Sequence, residues 1–224
     1  MKKLIGSWCL LGLAVAVQAE TPDPELRFQV LVYNYAGVSL GTLSHAKQEA
    51  GRIYRQIGVG VEWRDCPLPA EEGQPEPLCG LPSAPTRLSL RLLSNSMGQR
   101  VTPRYDVLGW AFLPANGGFG LTANVFVGRA WQRADVCPLS RSLVLGLLMA
   151  HELGHLLLGR PEHAVSGAMS VPLMKGCPES MSRGRKSLPR DVFFLSQQAG
   201  QIRANITARI AGERAARAAP ITSR

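Results

Sequence analysis

The sequence has no C-x-x-C pair, no internal repeat and no second uninterrupted apolar run after its first nineteen residues. Without a C-x-x-C pair, a zinc site built from cysteines is not expected. Without a second apolar run, a chain that stays in the membrane is not expected either. The 224 residues and 46% hydrophobic content are enough for one domain with a core of its own.

Aromatic residues are also scarce, at 6%, and they are not interleaved with the basic residues. The chain has 25 Lys and Arg against 16 Asp and Glu, a formal charge of +9. Such a basic balance can indicate nucleic-acid binding. Because the arginines are scattered and no nucleic-acid motif is recognisable, we interpret them as solvated surface and expect no nucleic-acid partner.

The first nineteen residues have the organisation of a secretory signal peptide. Lys2 and Lys3 form a charged start, Leu4–Val17 forms an apolar body, and Val17-Gln18-Ala19 is a small-x-small cleavage pattern. We therefore expect a secreted or periplasmic protein with no stable membrane span after cleavage. Removal of the two lysines lowers the formal charge from +9 to +7.

Cleavage after Ala19 leaves four cysteines, which in an exported protein suggest two disulfides with three alternative pairings. We favour Cys66–Cys79, which closes a loop rich in proline, and Cys137–Cys177, which brackets the longest apolar segment of the mature chain.

Alternating and helical patterns divide the remaining chain into strands and helices that predict an α+β fold. The first three elements suggest a parallel strand–helix–strand crossover. We expect one domain at 20–210, with about five strands in a mixed twisted sheet, and an Ala/Arg-rich tail at 211–224. The predicted strands are Leu26–Tyr35, Val59–Trp63, Arg87–Leu93, Val107–Leu113 and Leu121–Arg129, and the predicted helices are Val38–Ile57, Ser142–Gly159 and Leu188–Ile210.

The helix predicted at Ser142–Gly159 carries three polar side chains in an apolar run: His151, Glu152 and His155. Two histidines four residues apart leave one face of a helix one turn apart, where both can bind one zinc ion. Glu152 can then act as a base toward a water molecule activated by the metal. The alternative is a buried helix with two hydrogen-bonded histidines, which is costly without a metal or partner.

A catalytic zinc site needs three protein ligands and one open position, so a third donor is required. His163 is the first candidate, because three of the four histidines fall within thirteen residues. The fourth, His45, lies on the first predicted helix and is interpreted as an ordinary surface or core residue.

The segment HELGHLLLGRPEHAVSGAM, from His151 to Met169, resembles the zinc-binding core of the metzincin metalloproteases. The resemblance implies a zincin-like fold with an N-terminal crossover helix, an active-site helix and a C-terminal helix. It implies one catalytic Zn²⁺ bound by His151, His155 and His163, with Glu152 as the general base. It further implies Gly159 as the helix-ending bend, Met169 as the Met-turn residue, and an extended polypeptide aligned on an edge strand. A strand such as Leu121–Arg129 could offer its edge to that polypeptide.

The spacing departs from that family, which places Gly three and the third His six residues after the second His. Here Gly159 comes four and His163 eight residues after His155. Glu162 and Glu179 therefore remain alternative third ligands. Met169 has an alternative role as a simple hydrophobic plug in a loop.

These features predict a zinc metalloendopeptidase. The alternatives are an exported binding module that keeps the fold without turnover, and a zinc hydrolase acting on a substrate other than a polypeptide. We expect a monomer whose activity is restrained by a separate inhibitor or by its compartment.

Overall fold

A five-stranded mixed sheet is the framework of the chain in the computed structural model, which describes residues 26–68, 79–80, 84–115, 118–136, 139–170, 187–189 and 192–218. The strand order is β2-β1-β3-β5-β4, in which β4 is antiparallel to β5 and the other pairs are parallel. The predicted α+β class is therefore confirmed. The strands are β1 Arg27–Tyr33, β2 Gly60–Cys66, β3 Arg87–Leu93, β4 Gly109–Phe112 and β5 Thr122–Phe126, and the helices are α1 Leu40–Arg55, α2 Asn95–Val101, α3 Val127–Val136, α4 Arg141–Leu158 and α5 Ser196–Ala218.

The first crossover is confirmed, because β1 and β2 are parallel and α1 connects them. The Ser39 side chain caps the start of α1 by accepting from the Thr42 amide. Gly58 follows the helix at φ +72°, a conformation that favours glycine. Helical spacing places Ala46, Ala50 and Ile53 of α1 in the core with no exposed surface.

Two short helices, α2 and α3, were not predicted. The segment predicted as one strand, Leu121–Arg129, is a strand only to Phe126, and α3 begins at Val127. Each of these helices contains a glycine, which lowers helix propensity. The glycine is required there because neighbouring atoms leave no room for a side chain. A Cβ atom at Gly98 would lie 2.9 Å from the Phe126 ring, and one at Gly128 would lie 1.9 Å from the Asn95 side chain.

The C-terminal helix begins later and ends later than the predicted Leu188–Ile210, so part of the predicted tail is helical. Ile202 and Ile206 are fully buried, as the apolar spacing predicted. Beyond them, the Glu213 carboxylate accepts from the Thr86 amide at 2.8 Å. This contact ties the last turns of α5 to the loop before β3.

Cys66 and Cys79 form the predicted disulfide, with their Cα atoms 5.5 Å apart. The bond joins the end of β2 to the short segment at 79–80, where the Gly80 carbonyl also accepts from the Tyr33 hydroxyl at 3.0 Å. Cys137 and Cys177 lie outside the described residues, and so do residues 1–25 with the predicted signal peptide.

Helix α4 lies in the centre of the core and packs most extensively against α1. A Cβ atom at Gly146 would lie 2.7 Å from the Ala46 carbonyl oxygen, so this glycine allows the two helices to approach closely. The buried Tyr54 hydroxyl of α1 donates to the Ala150 carbonyl of α4 at 2.9 Å. Among the described residues, α4 alone is long and apolar enough to cross a membrane, but it is 89% buried in the fold, as a core helix is.

Candidate metal centre

The ends of α4 are defined by the residues that flank it. The Ser140 hydroxyl accepts from the Leu143 amide at 3.3 Å and caps the start of the helix. Gly159 adopts the left-handed conformation at φ +67° and donates its amide to the His155 carbonyl at 2.9 Å. The chain therefore turns sharply just after the second histidine.

This turn brings His163 beside His151 and His155. The candidate ligand atoms of the three imidazoles lie within 4.8 Å of one another. Their ring centroids are 4.8, 5.1 and 4.9 Å apart in the pairs 151–155, 151–163 and 155–163. His151 and His155 are buried and His163 is exposed. In the described part of the chain, no other group of three His, Cys, Asp or Glu side chains is placed to share an ion.

Backbone carbonyls determine which nitrogen of each buried imidazole carries the proton. Nδ1 of His151 lies 2.8 Å from the Ala168 oxygen, and Nδ1 of His155 lies 3.0 Å from the Arg160 oxygen. Because a carbonyl oxygen only accepts, each Nδ1 must donate. Each Nε2 is then left with a lone pair, and the two Nε2 atoms face each other at 3.1 Å. Two lone pairs at that distance repel unless a cation lies between them.

The histidines also have the protonation state that metal binding requires. Burial, and after it the neighbouring His155, lowers the pKa of His151 to about 3. Burial likewise lowers the pKa of His155 to about 4. The pKa of His163 is lowered by burial as well. The two helix histidines are therefore neutral across the physiological range and can offer lone pairs to a metal.

These residues fit a zinc ion. Two nitrogens bound at about 2.0–2.1 Å to one tetrahedral zinc lie about 3.3 Å apart, close to the 3.1 Å between the two Nε2 atoms. Three neutral imidazoles with one open coordination position form a known donor set of catalytic zinc sites. The carbonyls of Ala168 and Arg160 would orient the first two ligands, as hydrogen-bond partners of metal-binding histidines commonly do.

Glu152 lies next to this cluster and is 3% exposed. Its carboxyl group rests on the backbone of β4, because a Cβ atom at Gly109 would lie 2.3 Å from Oε1 of Glu152. Burial raises the pKa of Glu152 to about 8. A carboxyl group buried in this way is stabilised in its ionised form by a nearby positive charge, which a metal at the three imidazoles would provide.

Gly109→Ala is expected to displace the Glu152 carboxyl group, since the new methyl group would overlap Oε1. If the centre hydrolyses a peptide, turnover is expected to fall about 100-fold, because a shift of about 1 Å in a reacting group can cost that much. Zinc content is expected to stay unchanged. The matched control is Gly60→Ala in β2, where the added Cβ atom meets its nearest neighbour at 3.4 Å. Equal turnover in both variants, measured on one peptide, would contradict this role of Gly109.

Met169 is fully buried beneath α4. A Cβ atom at Gly154 would lie 2.5 Å from its sulfur, so the glycine between the two helix histidines makes room for Met169. The preceding turn has Gly167 at φ +78° and presents the Ala168 carbonyl to His151. The turn is also joined to the segment of the third histidine, because the amide of Ala164, the residue after His163, donates to the Met169 carbonyl at 2.8 Å. Sequence reasoning singled out Met169 but missed Gly154 and the Ala168 carbonyl.

The other candidates from the sequence are placed differently. Glu162 is exposed and lies outside the three-histidine group. Glu179 is outside the described residues. His45 is exposed on α1, as expected for an ordinary surface residue.

A cleft of about 1040 Å³ opens beside the histidines and Glu152. One wall is formed by residues 104–115, which include the whole of β4, and the other includes Glu152, His155 and His163. The strand that borders this cleft is β4, at the edge of the sheet. The prediction that a strand such as Leu121–Arg129 could offer its edge is wrong for this strand, because β5 pairs on both sides, with β3 and with β4.

The loop before β4 is held in place by one buried cation, Arg129 of α3, which is 2% exposed. Its guanidinium group donates to the carbonyls of Arg104, Val107 and Thr102 at 2.6, 2.8 and 2.7 Å. It also lies over the Phe126 ring at 4.5 Å. Three carbonyls directed to one charged group fix the backbone of the cleft wall before the strand begins.

Fold and site together define an α+β protein with a candidate three-histidine metal centre beside an edge-strand cleft. No protein-family model matches the chain, and no curated protein matches its sequence. Among solved structures, it is similar to the crystal structure of archaemetzincin from Methanopyrus kandleri, with a TM-score of 0.44 and 16% identity. The similarity covers 83% of this chain and 98% of that chain, and is too low to assign an activity.

Proposed function

We propose that the protein is a zinc-dependent metallopeptidase that hydrolyses peptide bonds within extended polypeptides. One observation carries the proposal: the Nε2 lone pairs of His151 and His155 face each other at 3.1 Å, with a third imidazole beside them. Metal binding alone would not require the buried Glu152, and its position beside the three imidazoles and against β4 supports a hydrolytic role.

Each residue of the centre has a role in this reaction. His151, His155 and His163 bind the metal. Bound zinc supplies electrophilic activation of the scissile carbonyl and of the attacking water. Glu152, as general base, accepts a proton from that water and then donates it to the leaving amine. Gly109 leaves the space in which the Glu152 carboxyl group performs both transfers.

The cleft supports a polypeptide as the substrate. It runs along β4, whose outer edge is unpaired among the described strands. Such an edge can bind an extended chain through backbone hydrogen bonds. A hydrolase of a small molecule would favour an enclosed pocket instead.

We also propose that the protein works outside the cytoplasm. The Cys66–Cys79 disulfide supports an oxidising compartment. The signal-peptide pattern at Met1–Ala19 supports export.

The direct test is hydrolysis of a broad fluorogenic peptide library by the purified protein, before and after metal removal. We expect about one zinc ion per chain by elemental analysis, cleavage that stops with a chelator, and recovery when zinc is restored. A zinc-loaded protein that cleaves no member of the library would favour a binding module. Cleavage that persists after complete metal removal would contradict the proposal.

A further inference from the structure

The free edge of β4 presents particular backbone groups to the cleft. The Phe126 amide of β5 donates to the Leu108 carbonyl at 2.9 Å, so these residues form a hydrogen-bonded pair. Hydrogen-bonded and non-hydrogen-bonded pairs alternate along antiparallel strands. Trp110 therefore directs its backbone groups to β5, while Gly109 and Ala111 direct theirs away from the sheet. A peptide that extends the sheet would bind to Gly109 and Ala111.

The side chains of β4 alternate in the same way between two faces. Gly109 faces Glu152, and Ala111 packs against the core on the same side. Trp110 and Phe112 therefore project from the opposite face of the strand, where each is 45% exposed. We call these two side chains the aromatic ledge. Both residues line the cleft.

An extended peptide on this edge continues the alternation, because residues opposite each other on neighbouring strands share a face. Its residues aligned with Gly109 and Ala111 point to the face of the sheet on which Glu152 lies. The residues aligned with Trp110 and Phe112 lie next to the aromatic ledge. The ledge thus contacts two peptide side chains that are separated by one residue.

The chemistry beside the ledge favours apolar side chains over charged ones. The neighbours of Trp110 and Phe112 on β5 are the uncharged Asn124 and Thr122. The charged pair in the cleft wall, Arg104 and Asp106, is joined by a salt bridge at 2.8 Å, so its charges largely offset each other. A bulky apolar side chain would cover aromatic surface that otherwise remains in water.

We infer that Trp110 and Phe112 are specificity-determining residues that select bulky apolar side chains at two substrate positions separated by one residue. This inference rests on the proposed peptidase function and names its substrate class: extended polypeptides with apolar side chains at alternate positions. The position between those two tolerates small or polar residues, because its side chain lies on the other face of the sheet.

The experiment is a cleavage profile of a randomised decapeptide library with the zinc-loaded protein, Trp110→Ala and Phe112→Ala. We expect the wild-type protein to prefer Leu, Met or Phe at two positions that are two residues apart. Trp110→Ala removes the preference at one of them and Phe112→Ala at the other. On the best peptide, kcat/KM falls about tenfold in each variant, mainly through KM. Preferences lost at adjacent positions, or lost nowhere, would overturn the inference.

Two further variants separate selection from general damage. Leu40→Ala removes an apolar side chain that is 83% exposed and does not line the cleft, and its profile is expected to match the wild type. Trp110→Lys is expected to change the preference at the Trp110 position from apolar to Asp or Glu. Thermal melting checks that all four variants are folded.

A binding measurement distinguishes failure of the ledge from failure of the proposed function. Fluorescence anisotropy with the metal-free protein compares a labelled decapeptide carrying Leu at alternate positions with the same peptide carrying Ser there. We expect about tenfold tighter binding of the Leu peptide, a difference that Trp110→Ala reduces. Equal binding of both peptides would contradict the inference that the aromatic ledge selects apolar side chains. If the Leu peptide binds more tightly but no zinc-dependent cleavage occurs, only the proposed peptidase function is contradicted.

Discussion

Glu152→Gln is expected to abolish most peptide hydrolysis while zinc stays bound. The amide has nearly the same shape as the carboxyl group, so it fits the space left by Gly109 and does not disturb the three imidazoles. It cannot accept a proton from water or pass one to a leaving amine. General bases contribute about 10²–10⁴-fold to rate, so we expect kcat to fall about 1000-fold with little change in KM.

The measurement pairs turnover on one fluorogenic peptide with zinc content per chain. Glu162→Gln is the control, because Glu162 is an exposed carboxylate near the site but outside the three-histidine group. We expect this variant to retain wild-type kcat. Retained hydrolysis by a clean preparation of Glu152→Gln would exclude Glu152 as the base. Lost hydrolysis together with lost zinc would instead show a structural role for Glu152.

Helix α4 could be predicted from the sequence because its signals are local. Ser140 before it, Gly159 after it and the spacing of His151 and His155 all lie within twenty residues. The α1 crossover was predictable for the same reason. A helix cap, a stop signal and a periodic apolar face all lie within one continuous segment, so they can be recognised without knowing which distant residues the segment contacts.

The order of the strands could not be predicted in this way. Chain order suggests that β4 lies between β3 and β5, but β5 lies between β3 and β4. That order depends on which strand edges meet after the chain has folded, and the alternating pattern of one strand does not encode it. The identity of the edge strand was therefore predicted wrongly.

The parts of the site that the sequence concealed are glycines and backbone groups. Gly109 precedes Glu152 by 43 positions, and nothing in the pattern around it shows that a carboxyl group rests there. The Ala168 carbonyl, which orients His151, has no sequence signature because every residue carries a carbonyl. The sequence was therefore sufficient to identify the side chains with distinctive chemistry. The glycines and backbone carbonyls that position those side chains could be identified only from the folded structure.

His163→Ala is expected to weaken zinc binding more than about 100-fold. Loss of a hydrogen-bond partner behind a metal ligand already costs about 10–100-fold in metal affinity, and loss of a ligand itself should cost more. Glu162→Ala tests the rival third ligand beside it, and we expect its affinity to stay within about twofold of the wild type. His45→Ala, which removes the exposed histidine on α1, controls for zinc bound elsewhere on the surface.

Competition with a chromophoric chelator measures these affinities, and cobalt substitution reports the ligand field of each variant. The longer connection between His155 and His163 places the third imidazole within 5.1 Å of both others, measured between ring centroids. Removal of the His163 side chain therefore leaves only two imidazole nitrogens at the site. We expect the tetrahedral cobalt spectrum to be lost in His163→Ala and kept in Glu162→Ala. The reverse result would make Glu162 the ligand. If both variants keep the spectrum and the affinity, the third donor lies outside the described residues, where Glu179 is the remaining candidate from the sequence.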